Sequence, residues 1–103
     1  MIHYQHGDLL LSTVEGLPAG CTVIHDGPGA VLAEGELTGH AHRVKQSGTL
    51  LRAIDGTVYL KLDAPADLTH EEHKTIHLVP AIYEVKRVQE YDYLAMQART
   101  VAD

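Results

Sequence analysis

The sequence predicts an all-β domain, a small antiparallel β-sandwich or barrel carrying at most one short C-terminal helix. Three observations predict it. Short runs rich in Val, Leu, Ile and Thr recur between Gly, Pro and Asp turn signals, enough for about seven or eight strands. Asp55-Gly56 lies between two such runs, and Asp-Gly is a preferred pair for a tight hairpin turn. A helical apolar stripe can be placed only near the C-terminus, after Asp92.

Each element has its own signal. Leu9-Leu10-Leu11-Ser12-Thr13-Val14 is a short apolar run that reads as a buried strand. Leu17-Pro18-Ala19-Gly20 is a turn, because Pro fixes φ and Gly tolerates a positive one. Residues 21–25 are β-branched and form a second strand, closed by Asp26-Gly27-Pro28-Gly29, the strongest punctuation in the chain. Residues 30–34 are a third strand. On a strand over residues 40–45, side chains two apart share a face, so His40 and His42 stand side by side. Residues 50–54 and 58–62 make the hairpin, with a two-residue type I′ turn expected at Asp55-Gly56. Residues 63–67 are a loop. Residues 75–78 form a strand with Ile76 and Leu78 on its core face and His73, Thr75 and His77 opposite. Pro80, close behind, argues against a helix there. Residues 82–91 are a long strand whose apolar phase slips between Val85 and Val88, which predicts a bulge near Lys86 and Arg87. Asp92 can cap a short helix over residues 93–99.

Composition narrows the function classes. The 103 residues make a single domain, residues 1–103, with one modest core. There is no Phe or Trp, so Leu, Ile, Val and five Tyr must supply the apolar volume. The net charge of −6 argues against nucleic acid or an anionic membrane as partner. Protonation of all eight His would carry it to +2, so the surface can change sign in mild acid. Cys21 is alone, which excludes an internal disulfide and fits a reducing compartment. No signal-peptide pattern and no apolar stretch long enough to span a bilayer occurs, so a cytoplasmic protein is expected.

The chemistry is concentrated in His70-Glu71-Glu72-His73-Lys74-Thr75-Ile76-His77 and Gly39-His40-Ala41-His42-Arg43, which hold five of the eight histidines. A divalent transition metal takes three or four ligands from imidazole, carboxylate or thiolate. The expected set is His40, His42, His70 and His73. Glu71 or Glu72 would serve as carboxylate ligand, ligand-orienting group or general base, and they are the candidate catalytic residues. His3, His6 and His25 are scattered and read as surface residues. The zinc-protease signature is absent: the His70–His73 gap is three, and Lys74 stands where a catalytic Glu would follow His73. No nucleophile motif or phosphate loop is present.

Gly39-His40-Ala41-His42 resembles the first motif of the cupins, and Leu78-Val79-Pro80-Ala81 loosely resembles their proline turn. Cupins are small β-barrels in which a His-x-His strand and a later His hold Fe, Mn, Zn or Ni. Arg43 to Gln46 occupy the space of the cupin Glu, and the later histidines all precede Pro80. A closer resemblance spans about two thirds of the chain. Leu32-Ala33-Glu34-Gly35-Glu36, Thr38-Gly39-His40-Ala41-His42, Leu68-Thr69-His70-Glu71-Glu72-His73 and Val88-Gln89-Glu90-Tyr91 resemble a family of small bacterial and phage-associated β-rich proteins with no assigned function. Its pattern varies at the His77 position, which favours His40, His42, His70 and His73.

The expectation is therefore a metal-binding β-domain holding Zn, Ni, Fe or Mn, in its sharper form a cupin-like enzyme on a small polar substrate. The rival is a non-enzymatic structural or interaction module with the His/Glu cluster at an interface. A domain this small gains by covering its strand edges, so a homo-oligomer is expected.

Overall fold

A computed structural model describes residues 1–35 and 39–87. Among them run ten strands: β1 (His3–His6), β2 (Leu9–Val14), β3 (Thr22–Gly27), β4 (Ala30–Glu34), β5 (Ala41–Val44), β6 (Gly48–Arg52), β7 (Val58–Leu62), β8 (Ala66–Thr69), β9 (Ile76–Leu78) and β10 (Ala81–Arg87). They form a six-stranded sheet in the order β1-β2-β10-β7-β6-β3 and a four-stranded sheet in the order β4-β5-β8-β9. Every strand pairing within them is antiparallel. The all-β expectation holds, and the arrangement is that of a sandwich.

One apolar core joins the two sheets. The larger contributes Leu9, Leu11, Leu50, Leu60, Leu62 and Tyr83, and the smaller Ala30, Val44, Ala66, Leu68 and Leu78. The side-chain alternation of strands produces this, since residues two apart share a face. Leu9 and Leu11 are buried in β2, and Val44 is buried in β5 while Arg43 beside it is exposed. With no Phe or Trp available, the largest fully buried side chain is Tyr83. Its hydroxyl donates to the Val79 carbonyl at 2.6 Å, so burial costs it no hydrogen bond.

The chain crosses between sheets at its turn signals. Gly27-Pro28-Gly29 carries it from β3 in the large sheet to β4 in the small one, where Gly29 N–H donates to the Val44 carbonyl at 2.9 Å.

Four local expectations need correction or completion. First, β1 and β8 are strands that the pattern did not announce: β1 has two histidines in four residues, and β8 begins directly after Pro65 in a stretch read as loop. Second, the β6–β7 hairpin does not close on a two-residue turn. Ala53 and Thr57 are still bonded, and a three-residue loop of Ile54, Asp55 and Gly56 spans them, with Gly56 at φ +92°. A type I turn followed by a left-handed glycine uses the same Asp-Gly signal one residue later. Asp55 Oδ1 accepts the Thr57 N–H at 2.9 Å and fixes the loop. Third, β10 carries no bulge at Lys86 or Arg87. It pairs regularly with β2 through Arg87, Lys86 opposite Leu10 and Arg87 opposite Leu9, and with β7 from Ala81 to Val85. The register shifts instead fall in β3 and β4, the outer strands of their sheets. Fourth, the helix expected over 93–99 and the strand end over 88–91 lie outside the described residues. No helix among the described residues is long and apolar enough to cross a membrane.

Leu60 is fully buried, in a strand bonded on both sides. Leu60→Ala should therefore lower the unfolding free energy by about 2–5 kcal/mol, since a cavity adds to the lost transfer energy. Urea unfolding checks it, and a loss below about 1 kcal/mol would contradict the placement of this core.

Candidate metal centre

The site begins with two histidines that strand geometry turns inward. β1 and β2 are joined by the two-residue loop Gly7-Asp8, with Gly7 at φ +64° in the first loop position, where the primed hairpin turns want glycine. The register pairs His6 with Leu9, so the two share a face. Leu9 is wholly buried, and His6 follows it inside at 2% exposure. In β5, His42 shares the face of the buried Val44 and is 4% exposed. His6 belongs to the large sheet and His42 to the small one. Their imidazoles meet Nδ1 to Nδ1 at 2.9 Å, a hydrogen bond that joins the two sheets.

This contact fixes both tautomers. His6 Nε2 lies 2.8 Å from the Lys74 carbonyl, which can only accept, so Nε2 carries the proton. Neutral His6 then has a bare Nδ1, and His42 Nδ1 must be the donor to it. The remaining nitrogen of neutral His42, Nε2, is left with a lone pair. It faces Asp8 Oδ1 at 3.4 Å. His42 is neutral near pH 7: burial, then the neighbouring His6 and His70, pull its pKa down to about 4. Burial lowers His6 as well. Asp8 is an anion. Burial pushes its carboxyl up, but the hydrogen bond and charge of Arg87 outweigh this and hold it below the usual carboxylate range. Arg87 donates to Asp8 Oδ2 from Nη2 at 3.1 Å and from Nε at 3.4 Å. A lone pair and a carboxylate oxygen thus face each other with no proton between them.

The loop between β8 and β9 closes the cluster. It places the His70 ring 4.5 Å from that of His42 and 5.6 Å from that of His40. The His73 ring stands 4.5 Å from His70 and 5.8 Å from His42, nearly parallel to the latter. A Cβ on Gly7 would lie 2.5 Å from His73 Nε2, so glycine is needed there both for its positive φ and to seat that ring. Glu71 Oε1 accepts the Ala41 N–H at 2.9 Å, tying the loop to the start of β5. That same bond keeps the Glu71 carboxyl ionised to lower pH than usual. Glu72 N–H donates to His70 Nδ1 at 3.0 Å, and Glu72 Oε1 is 3.8 Å from His40 Nδ1. His40, His70 and Glu71 each offer a donor atom, all within 4.8 Å of one another. A cleft of about 200 Å³ opens over the cluster, lined among others by Asp8, His40, His42, His70 and His73.

A family model described as a domain of unknown function, DUF8820, matches residues 5–88. The chain belongs to that family. No curated protein and no solved structure matches it. The DUF8820 span takes in every residue of the cluster, from His6 to Arg87.

The four histidines expected as ligands, His40, His42, His70 and His73, are thus brought into one cluster, with both candidate carboxylates Glu71 and Glu72 beside it. His77 is not part of it. Its side chain is 83% exposed on β9 and bonds Asp67 Oδ1 through Nδ1 at 2.5 Å. The surface reading of His6 is overturned, because the hairpin register puts it on the core face. Asp8 was also missed. A signal existed for both: a Gly-Asp pair before the apolar run at Leu9 marks a two-residue hairpin, and pairing across that turn sets His6 opposite Leu9, on the core face.

These tautomers carry a pH dependence. His42 titrates near 6.5 when unfolded and near 4 when folded. Between those values the unfolded chain binds a proton that the folded one refuses. Stability is therefore full above pH 6.5 and falls as pH drops toward 4, by about 3 kcal/mol from this group. Denaturant unfolding of the metal-free protein from pH 7.5 to 4.5 should show that slope, and His42→Asn should flatten it. A pH-independent wild type would contradict a buried neutral His42.

Proposed function

We propose that this DUF8820 domain binds a divalent transition metal, Zn, Ni, Fe or Mn, at the end of its sandwich. The ligands come from His40, His42, His70 and His73, joined by Asp8 and Glu71. The observation that carries this reading is the pair His42 Nε2 and Asp8 Oδ1, two acceptors 3.4 Å apart. Two donors on a tetrahedral ion with bonds of about 2.0–2.1 Å lie about 3.3–3.4 Å apart, so the pair has the spacing that a metal needs. His42 also has the support usual for a metal-bound imidazole, its other ring N–H engaged by a partner, here His6. The cleft leaves room for water or a small polar substrate on the ion. An open position is what a catalytic metal needs and a closed structural site lacks, which favours an enzyme on a small polar substrate, with Glu72 placed to accept a proton.

Zn²⁺ or Ni²⁺ should raise the melting temperature of the metal-free protein. Binding to the folded state alone is worth about 2.7 kcal/mol at a hundredfold excess over Kd. Asp8→Asn keeps the shape of the side chain and removes its charge, so it should cut that rise sharply. An unchanged melting curve with every divalent metal tried would defeat the reading.

A second reading, self-association, rests on a different face. β3 ends the large sheet, and Val23 and Ile24 on it are 54% and 42% exposed. Ile54 at the tip of the neighbouring hairpin is exposed beside them. An exposed apolar outer strand is a template for pairing. Light scattering should give a mass at least twice 11.3 kDa, reduced to one chain by Ile24→Lys. A monomeric wild type at high concentration would reject it.

A further inference from the structure

We propose that His6 is the positioning residue of this centre, holding His42 in the one tautomer that can take a metal, and that the β8–β9 loop sets His6 in that role. This deepens the metal-binding reading and rests on it. The hairpin turn His6-Gly7-Asp8 grips the His42 ring at both nitrogens. His6 Nδ1 meets His42 Nδ1 at 2.9 Å, and Asp8 Oδ1 faces His42 Nε2 at 3.4 Å. A neutral imidazole has one ring proton, so His42 can donate to only one of these partners.

Two proton orders are therefore open. In the first, His42 donates from Nδ1 to His6, and its Nε2 keeps a lone pair for an ion. In the second, His42 donates from Nε2 to Asp8, and its ligand nitrogen is spent. Taken alone, the second is the stronger bond, because a carboxylate accepts more strongly than a neutral imidazole. It would leave His42 Nδ1 bare, so His6 would have to donate from Nδ1 and leave its own Nε2 bare. That nitrogen lies 2.8 Å from the Lys74 carbonyl, and two acceptors would then face each other on a buried ring. The carbonyl thus holds the proton on His6 Nε2, and His6 passes the choice to His42. The distances agree with the first order. Its two contacts are 2.8 and 2.9 Å, whereas the 3.4 Å to Asp8 exceeds the roughly 2.7–3.2 Å usual for an N–H···O bond.

Lys74 follows His73 in the loop between β8 and β9. One loop therefore does two things when it seats against the hairpin. It brings His70 and His73 to the cluster, and its Lys74 carbonyl readies His42 through the His6 ring. A loop lifted away takes that acceptor from His6 Nε2, and His42 then gives its proton to Asp8. Delivery of two ligands and readiness of a third are one event.

Two-bond proton–nitrogen NMR of the histidine side chains, in metal-free protein at neutral pH, locates these protons. Wild type should carry them on His6 Nε2 and His42 Nδ1. His6→Leu removes both bonds of the relay. His42 should then move its proton to Nε2, and Zn²⁺ affinity, measured by competition with a chelator, should fall by about 10–100-fold. His6→Asn also loses the Lys74 bond, but its amide oxygen can still accept from His42 Nδ1. It should keep the wild-type His42 tautomer and recover most of the lost affinity. A proton on His42 Nε2 in metal-free wild type overturns the proposal without any variant. An affinity loss equal in the two variants overturns it as well, since that reports packing and not the proton. So does Zn²⁺ binding as tight in His6→Leu as in wild type. In each of these cases the metal-binding reading stands as long as wild type takes up Zn²⁺, and no uptake by wild type removes both.

Discussion

The hydrogen bond between His6 and His42 is the constraint on which the polar end of this molecule depends. It joins a strand of the six-stranded sheet to a strand of the four-stranded sheet. Each ring is buried, and a buried polar group without a partner costs about 1–3 kcal/mol. His6 escapes that cost because its second nitrogen bonds the Lys74 carbonyl, while His42 Nε2 faces Asp8 Oδ1 at 3.4 Å with no proton between them. The contact therefore closes the core at one end and, in the same act, decides which nitrogen of His42 is free to act as a ligand.

The electrostatics follow from that closure. Burial keeps His6 and His42 neutral, and a neutral imidazole is the form that coordinates metal. Arg87 keeps Asp8 ionised, while the Ala41 N–H does so for Glu71. The cluster thus sets uncharged nitrogens beside two anions without a proton shared between His42 and Asp8. An apolar core alone would gain nothing from this arrangement. A bound cation would make use of it, which is the observation behind the metal-binding proposal for this end of the sandwich.

Position in the fold separates the histidines more sharply than their spacing does. His42 and His77 each lie on a strand of the small sheet. His42 takes the phase of Val44 and points between the sheets. His77 takes the phase opposite to Leu78, points outward, and pairs with Asp67. The β8–β9 loop adds His70 and His73, held in place by the Glu71 bond to β5 and by the absence of a side chain at Gly7. Three separate stretches of chain thus meet at one corner, and each is fixed by backbone geometry before any ligand is considered.

How much of this was legible varies with the range of the interaction. The all-β class, most of the strands and the face shared by Ile76 and Leu78 follow from period-two alternation and from turn residues, which act over a few positions and are written locally. Membership of His40, His42, His70 and His73 in one cluster was readable for a related reason: the four lie in two short segments, so bringing two stretches together gathers all of them. The rest needed the third dimension. His6 looked like a surface residue because its burial depends on the register of a hairpin whose first strand is only four residues long. Asp8 reads as a turn residue, and becomes a candidate ligand only because β5, thirty-odd residues later, lays His42 across from it. The bulge was misplaced because a slip of apolar phase is not a slip of register: Lys86 and Arg87 keep their regular pairing with Leu10 and Leu9, and the shifts fall in β3 and β4. Sequence alone marked His40, His42, His70 and His73 as side chains with ligand chemistry. The packing of two sheets decided which of their atoms face one another, since that depends on contacts between residues far apart in the chain.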